Sequence, residues 1–590
     1  MSIWNVFALL GGLALFLFGM DVMGKALERQ AGGQLEKILS KLTNSPFKGF
    51  FLGMLVTAVI QSSSATTVMV VGFVNSGMMQ LRQAIGIIMG SNVGTTVTSW
   101  LLSLSGIEGN SFVVQLFKPT SFSPILAFIG IILYMFCKSE KSKSTGTILI
   151  GFAVLMTGMT AMSNAVTPLK DAIWFTNLFV AFQNPLLGVL AGAVLTAIIQ
   201  SSSASVGILQ ALSATGAITF GSALPIIMGQ NIGTCATALL SSIGTNKNAR
   251  RAAMVHLYFN IIGVVLFLCL FYPLNALLHF SFLNGTVSAL GIAIVHTAFN
   301  LITTLVLLPL SRVLEILATR TIRDTPNTAK EEFSRLDPRL LATPAVAVDR
   351  AVAATNDMAA LAHKSLLDAL RLTHAWDDTL AGTVEHAEDA IDHYEDMLGT
   401  YLVQLSMHEM TQTDSRTVNM LLHTIGDFER IGDHAMNIMR SGREIHEKSI
   451  RFSEQAKEEL SVLEAAVQDI VTRTVTCFAQ KDLYLAGKIE PLEQVIDGLV
   501  REVKTRHIAR LQNGQCPIRY GFVLDDLLTN CERIADHCSN IAVALIEVTR
   551  GSFDTHAYLS QQKESSEQFS RRYEEYRTRY LFPEHAETQN

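Results

Sequence analysis

The chain has 590 residues, of which 49% are apolar and 16% charged, and its mean hydropathy is +0.33. Residues 1–311 carry 14 Lys and Arg against 6 Asp and Glu, whereas residues 312–590 carry 31 against 45. This composition argues against a purely soluble enzyme, a disordered protein and a nucleic-acid-binding protein. The first half is typical of a membrane protein and the second of an acidic, water-soluble domain. No P-loop, G-x-S-x-G or H-E-x-x-H motif is present, so an enzyme is the weakest interpretation.

Nine apolar runs in the first half are candidates for the ~20 residues that cross a bilayer. Two of these runs are interrupted at their midpoints by the sequence Gln-Ser-Ser-Ser, at 61–64 and 200–203. An arm of about 13 residues rises only about 20 Å, which is too short to cross. Short apolar arms that meet at a polar tip predict two re-entrant helical hairpins. The runs cover 4–23, 47–79, 83–105, 120–137, 147–166, 178–215, 219–243, 252–278 and 286–310.

Cationic residues indicate how the spans are oriented. They cluster at 25–48, 138–143 and 247–251, and the first apolar run has no Lys or Arg before it. That run is interpreted as a membrane span rather than a signal peptide. All three clusters fall on the cytoplasmic face if the N-terminus is outside and both hairpins return to the side from which they entered. The pattern predicts a multi-pass membrane protein with its N-terminus outside and a cytoplasmic C-terminal domain.

An ungapped internal repeat relates residues 12–103 to residues 151–242 at an offset of 139. Each copy has the Gln-Ser-Ser-Ser sequence and then G-x-N-[VI]-G-T, at 90–95 and 229–234, in the middle of the next span. Because an odd number of spans separates the copies, they are predicted to face opposite ways, as inverted-repeat transporters do. Glycines beside an Asn in an apolar segment predict unwound helix whose freed backbone groups bind a ligand.

The repeat cores, 49–103 and 188–242, contain no Asp or Glu and a single basic residue. Gln amides, Ser and Thr hydroxyls and helix N-termini suit an oxyanion beside a hard cation. Either ion alone would be poorly balanced at low dielectric, which favours a multivalent anion bound together with Na⁺. The alternative is that these small polar residues only pack membrane helices. His256, His279 and His296 lie outside the repeats and are interpreted as packing or interfacial residues.

The duplicated motifs resemble those of the type II sodium-dependent phosphate cotransporters, in the bacterial branch with a C-terminal PhoU-like domain. The resemblance covers roughly 5–310 and 345–550. It implies an all-α, polytopic membrane transporter over 1–311, with inverted repeats and re-entrant hairpins, followed by a PhoU-like helical bundle. It also implies that phosphate and Na⁺ bind between the two hairpins. The residues implied in binding are Gln61, Ser62, Ser63, Ser64, Thr66, Asn92, Thr95, Gln200, Ser201, Ser202, Ser203, Ser205, Asn231 and Thr234.

The second copy departs from the first in its hydroxyl groups. Ser205-Val206 stands where the first copy has Thr66-Thr67, and Cys235 replaces Thr96. The number of Na⁺ sites therefore stays open.

After Arg312 the sequence changes to charged helical segments, beginning with a proline-marked linker over 312–344. Apolar spacing predicts about six helices between 345 and 550 and a polar, charged tail over 551–590. The predicted helix breaks lie near His374, Thr411, Ile450, Lys481 and Pro517.

A second repeat occurs in this half, where residues 427–434 recur as 530–537 at an offset of 103. Two three-helix bundles fit this repeat. Carboxylate pairs four residues apart on a helix repel unless a cation lies between them. The resemblance to PhoU proteins, which carry E-x-x-x-D metal sites, implies a divalent or ferric ion; ion pairing with Arg430 and Arg533 plus solvent is the alternative. The candidate metal ligands are Glu388, Asp392, Glu429, Asp433, Glu493, Asp497, Glu532 and Asp536.

The leading functional hypothesis is Na⁺-coupled transport of inorganic phosphate, with a cytoplasmic PhoU-like regulatory domain. A phosphate exporter of the same fold and a membrane phosphate sensor or scaffold are the alternatives. The expected partners are phosphate, Na⁺ and membrane lipid, with a homodimer partner or a cytoplasmic regulatory partner and no nucleic acid.

Overall fold

In the computed structural model of the chain, residues 2–31, 45–106, 118–323, 336–550 and 567–583 are described. Within these ranges the regular elements are helices and no strand occurs, which confirms the all-α prediction. The chain divides into two compact units, residues 1–346 and 347–590. Parts of the predicted cation cluster, linker and tail lie outside the described residues, at 32–44, 324–335, 551–566 and 584–590.

The first unit is built from apolar helices. By length and composition, seven of the described helices could cross a membrane, namely α1, α4, α5, α6, α10, α11 and α12. The helices α7 and α8 form a pair bent by 106°. The bounds are α1 Ile3–Ala31, α2 Pro46–Ile60, α3 Ser63–Asn75, α4 Leu81–Ser103, α5 Pro119–Phe136, α6 Glu140–Val166, α7 Ile173–Ala181, α8 Pro185–Ile199, α9 Ser202–Ser213, α10 Phe220–Ser241, α11 Lys247–Leu278, α12 Ala289–Leu307 and α13 Ser311–Thr321.

Both Gln-Ser-Ser-Ser sequences break a helix, as predicted. Gln61 and Gln200 end α2 and α8 in the left-handed region, at φ 62° and 59°. Ser62 and Ser201 then cap α3 and α9, because each side chain accepts a hydrogen bond from the backbone N–H three residues later. Each polar tip therefore consists of a helix C-terminus followed at once by a helix N-terminus.

The two arms of each hairpin fold back on each other. Thr57 Oγ1 donates to Thr66 Oγ1 over 3.0 Å, and Thr196 Oγ1 donates to Ser205 Oγ over 2.8 Å. These pairs join positions on either side of each tip and are related by the repeat offset of 139. Thr66 and Ser205 thus hold the arms together in both copies.

Each hairpin's first arm runs parallel to the span that follows it. A Cβ atom added to Gly86, Gly90 or Gly94 of α4 would lie 2.1 Å from Pro46 O, 2.0 Å from Phe50 O and 2.6 Å from Met54 O of α2. This register of 40 residues recurs between α10 and α8, where Gly229 meets Val189 O. Parallel packing requires α2 and α4 to start at the same end of the unit, so α3 returns the chain to the end where α2 began.

The predicted unwinding of the G-x-N-[VI]-G-T segments is wrong. Residues 90–95 and 229–234 lie inside the continuous helices α4 and α10. Their glycines remove side chains where the backbones of α2 and α8 come closest. Backbone contact, rather than a local break, explains the glycines.

The helices α1 and α6, which correspond in the repeat, pack antiparallel through glycine. A Cβ atom on Gly19 would lie 2.3 Å from Leu155 N, and one on Gly158 would lie 2.3 Å from Phe16 N. At the offset of 139, Gly158 corresponds to Gly19 and Leu155 to Phe16. Each contact is therefore the image of the other, which is the pattern that a two-fold axis produces.

The described residues from 344 onward form six long helices, the four-residue helix α18 and the C-terminal helix α21, and the ends of the long helices confirm the predicted breaks. The C-terminal helix α21 packs on the second unit, since Tyr580 Oη donates to Asp469 Oδ2 over 2.9 Å and Arg572 donates to Gly487 O over 2.6 Å. The bounds are α14 Pro344–His374, α15 Asp378–Ser406, α16 Gln412–Glu447, α17 Glu454–Gln480, α18 Leu483–Ala486, α19 Ile489–Gln512, α20 Ile518–Arg550 and α21 Glu567–Arg579.

Residues 336–343, which we call the connecting segment, are anchored within the first unit. Asp337 is 2% exposed, and its Oδ2 accepts a 2.6 Å hydrogen bond from Asn75 at the end of α3. The Arg339 guanidinium donates to the carbonyl of Ser241, the last residue of α10, and to the carbonyl of Ile243 just beyond it. Leu340 is fully buried. The segment just before the second unit therefore ties the returning arm of the first hairpin to the end of α10.

Candidate functional site

The two polar tips meet at one cavity of about 290 Å³. The Ser64 hydroxyl donates to the Gln200 carbonyl over 3.4 Å, so the tips touch directly. Since a water molecule occupies ~30 Å³ of liquid, the cavity has room for a small oxyanion with several waters. The predicted residues that line it are Gln61, Ser62, Ser63, Ser64, Gln200, Ser201, Ser202 and Ser203.

The chemistry of the tips favours an anion. The helices α3 and α9 both begin at the cavity wall, and the first N–H groups of a helix have no partner inside it. The capping hydroxyls of Ser62 and Ser201 occupy one such group each, which leaves the amides of the first turn directed toward the tip. The two helix N-termini contribute partial positive charge, which suits an anion, while the carbonyl groups that end α2 and α8 at the same tips contribute partial negative charge.

The two tip glutamines differ in their partners. Gln61 is 6% exposed, and its Oε1 accepts a 2.9 Å hydrogen bond from Thr98 Oγ1 of α4. Its Nε2 also donates to Ala58 O. Gln200 is exposed to the cavity, and the corresponding Thr237 hydroxyl of α10 is buried without a hydrogen-bond partner among the described residues. The Gln61 side chain therefore bonds to the span behind its tip, whereas the Gln200 side chain faces the cavity.

Six predicted binding residues lie behind the tips rather than on the cavity wall. Thr66 and Ser205 join the hairpin arms, as described above. The other four are buried and bond to their own helices: Asn92 to Ile88 O, Thr95 to Ser91 O, Asn231 to Ile227 O and Thr234 to Gln230 O. Their side chains support α4 and α10 beside the hairpins.

One group of residues that the sequence interpretation missed lines the site, and His256, which was interpreted as a packing or interfacial residue, lies behind it. Asp21, Lys25 and Glu28 of α1 line the cavity wall. His256 of α11 is fully buried, and its Nε2 lies 3.4 Å from Asn92 Oδ1. Charged residues at spacings of four and three at the end of an apolar span were the available signal for α1, whereas the contact of His256 depends on long-range packing.

The acidic residues of the second unit form two similar groups. In each group, carboxylate oxygens from two residues of one helix and one residue of the next lie within 4.8 Å of one another. The groups are Glu388, Asp392 and Asp433 on α15 and α16, and Glu493, Asp497 and Asp536 on α19 and α20. The structure therefore brings six of the eight predicted ligands together in two sets of three.

Glu429 and Glu532 lie outside these two sets. Glu429 is paired with the Arg430 guanidinium over 3.4 Å, and burial together with the charge of Asp433 raises its pKa to about 7. Burial and the neighbouring acids Glu532 and Asp536 also raise the pKa of Asp497. Asp497 Oδ1 is buried and has no hydrogen-bond partner among the described residues. An unpartnered carboxylate oxygen beside two other acids fits a hard cation.

Comparison with known proteins identifies both parts of the chain. Residues 15–164 and 169–302 match the family described as Na⁺/Pi-cotransporter, and residues 355–441 and 460–545 match the PhoU domain. These matches cover both sequence repeats.

Three relatives show how far the similarity extends. The "Putative inorganic phosphate export protein YjbB" of Salmonella typhimurium is 26% identical over 91% of this chain and 97% of its own length. "Uncharacterized protein YqeW" of Bacillus subtilis is 31% identical over 51% of this chain and 92% of its own length. The human "Sodium-dependent phosphate transport protein 2B" is 24% identical over 45% of this chain and 59% of its own length.

Proposed function

Because the chain belongs to the Na⁺/Pi-cotransporter family, we propose that it carries inorganic phosphate across the cytoplasmic membrane together with Na⁺. The observation that carries the proposal is the cavity where both hairpin tips and two helix N-termini meet. Amides and hydroxyls at this cavity suit phosphate oxygens, and the adjacent carbonyl and hydroxyl oxygens suit Na⁺. The proposed binding residues are the eight on the cavity wall, supported by Thr66, Asn92, Thr95, Ser205, Asn231 and Thr234.

The decisive experiment is ³²P-phosphate flux in proteoliposomes with imposed Na⁺, K⁺ or proton gradients in either direction. We expect a Na⁺ gradient, but not a K⁺ gradient of equal size, to drive phosphate accumulation. Absence of phosphate flux under every gradient would refute the transport function. Equal flux with a K⁺ gradient would refute the coupling to Na⁺ and leave phosphate transport itself standing.

Net phosphate export is the second candidate. It is favoured by the name of the relative that matches 91% of this chain. The same binding site serves both directions, because the site selects the ion and the gradients set the net flow. Efflux from phosphate-loaded vesicles in the same assay distinguishes the two.

We infer that the two repeats are inverted in the membrane, with the N-terminus outside and the second unit in the cytoplasm. The reciprocal contacts of α1 with α6 and the parallel packing of each hairpin support this inference. Single cysteines near Lys48 and Lys247 should be labelled by an impermeant reagent only from the cytoplasm, and one near Asn110 only from outside. If the cysteines near Lys48 and Lys247 were labelled from opposite faces of the membrane, the proposed orientation would be wrong.

The PhoU domain is proposed to bind a divalent or ferric ion at each acidic group. Carboxylates without cysteine favour a hard ion, and such an ion would hold neighbouring helices together. Elemental analysis of the full-length protein should find metal, with Asp433→Asn and Asp536→Asn each losing roughly half of it. Glu447→Gln, an exposed change on α16, is the matched control. Stable protein that is free of metal would rule out both sites and leave ion pairing as the explanation.

The PhoU domain is proposed to regulate transport through the connecting segment. That segment is bonded to the end of α3, so a displacement of it would pull on the first hairpin. A chain ending at residue 346 keeps these bonds and should retain phosphate flux at an altered rate. A chain ending at residue 323 loses these bonds. Its rate of phosphate flux should differ from that of the chain ending at residue 346. If both truncated chains insert normally and transport like the full chain, the regulatory role is wrong.

A further inference from the structure

One wall of the phosphate cavity is charged, and it belongs to α1. Asp21, Lys25 and Glu28 lie at spacings of four and three, so they share one face of the helix. Between them lies Gly24, whose added Cβ atom would be 3.4 Å from Ile60 O, the residue before Gln61. The charged face therefore adjoins the first polar tip.

These charges are not needed for the packing of α1. At the repeat offset of 139, Asp21, Lys25 and Glu28 correspond to Thr160, Asn164 and Thr167, which are neutral. The repeat-related helix α6 nevertheless makes the same reciprocal glycine contacts. The charged face is thus a feature that only one of the two repeats carries.

Lys25 is the one cationic side chain among the described residues on the cavity wall. Its Nζ lies 2.9 Å from Asp21 Oδ2, and the two side chains remain 68% and 56% exposed. An exposed ion pair of this kind is weak, so a multivalent anion competes for the ammonium group. The flexible four-carbon stem allows the ammonium group to turn from Asp21 toward the tips.

We propose that Lys25 binds phosphate at the mouth of the cavity and that Asp21 holds the ammonium group when phosphate is absent. This inference rests on the proposed function and adds a binding residue to it. Because α6 has no equivalent charge, this additional binding residue belongs to one repeat only.

The test measures equilibrium binding of ³²P-phosphate to the purified full-length protein. Lys25→Gln should weaken binding by about tenfold, the lower end of what a hydrogen bond to a charged group provides. Lys25→Arg should remain close to the wild type, because the positive charge is kept. Asp21→Asn should tighten binding, because the ammonium group is released. Asn164→Gln, at the corresponding exposed position of α6, is the control and should have no effect.

Wild-type affinity in Lys25→Gln would overturn the proposal, and so would an equal loss in Lys25→Arg or a loss in Asp21→Asn. A purely structural role of the ion pair predicts that Asp21→Asn and Lys25→Gln change binding in the same direction. If the wild-type protein binds phosphate and transports it in the flux assay while Lys25→Gln is normal, only this inference fails. If the wild type neither binds nor moves phosphate, the proposed function fails with it.

Discussion

Gln200→Ala is expected to reduce phosphate flux by about a hundredfold or more while leaving the protein folded and inserted. The Gln200 side chain faces the cavity, so its removal takes away a proposed ligand group without breaking a contact that holds the helices. Loss of the proposed hydrogen bond to the charged substrate would account for the size of the effect. Flux in proteoliposomes and the thermal unfolding midpoint in detergent measure the two consequences separately.

The corresponding change Gln61→Ala should also abolish flux, but it should lower the unfolding midpoint as well. Gln61 is buried and bonded to Thr98 and Ala58, so the truncation leaves the Thr98 hydroxyl without its acceptor. Gln183→Ala, an exposed glutamine just before α8, should leave both flux and the unfolding midpoint unchanged. Full flux in both tip variants would remove the hairpins from the substrate path.

The hairpins could be predicted from the sequence because their signal is local. A polar interruption at the midpoint of an apolar run requires a helix end there, and both breaks occur at the expected glutamines. The helix ends of the PhoU domain were predictable for the same reason. The place of the charged face of α1 on the cavity wall could not be predicted in this way. It depends on how α1 packs beside the first hairpin, which lies elsewhere in the sequence.

The G-x-N-[VI]-G-T segments show why a glycine signal is ambiguous. Glycine permits unwound backbone, and it also permits two helices to touch through their backbones. The sequence alone does not distinguish these two uses. In the structure, glycines of α4 and α10 meet backbone carbonyls that lie 40 residues earlier, in α2 and α8, so they serve helix contact. The acidic groups show a similar limit, since pairs on one helix are visible in sequence whereas the third carboxylate comes from the next helix.

Gly90→Ala and Gly229→Ala are therefore expected to prevent correct folding of the first unit. An added Cβ atom would lie 2.0 Å from Phe50 O at the first position and 2.0 Å from Val189 O at the second. Both obstacles are backbone carbonyls inside helices, which cannot turn aside as a flexible side chain can. Relief requires the hairpin and its neighbouring span to separate, at an expected cost of about 3 kcal/mol or more.

Gly11→Ala is the matched control, because nothing lies within 4 Å of an added Cβ atom at that position of α1. We expect this variant to keep the wild-type unfolding midpoint and elution profile in detergent, whereas Gly90→Ala and Gly229→Ala yield aggregated protein or a strongly lowered midpoint. A Gly90→Ala protein with the wild-type midpoint would mean that α2 and α4 do not touch through their backbones. The glycines would then have to serve the local unwinding that the sequence first indicated, and the tips would no longer be positioned by the spans behind them.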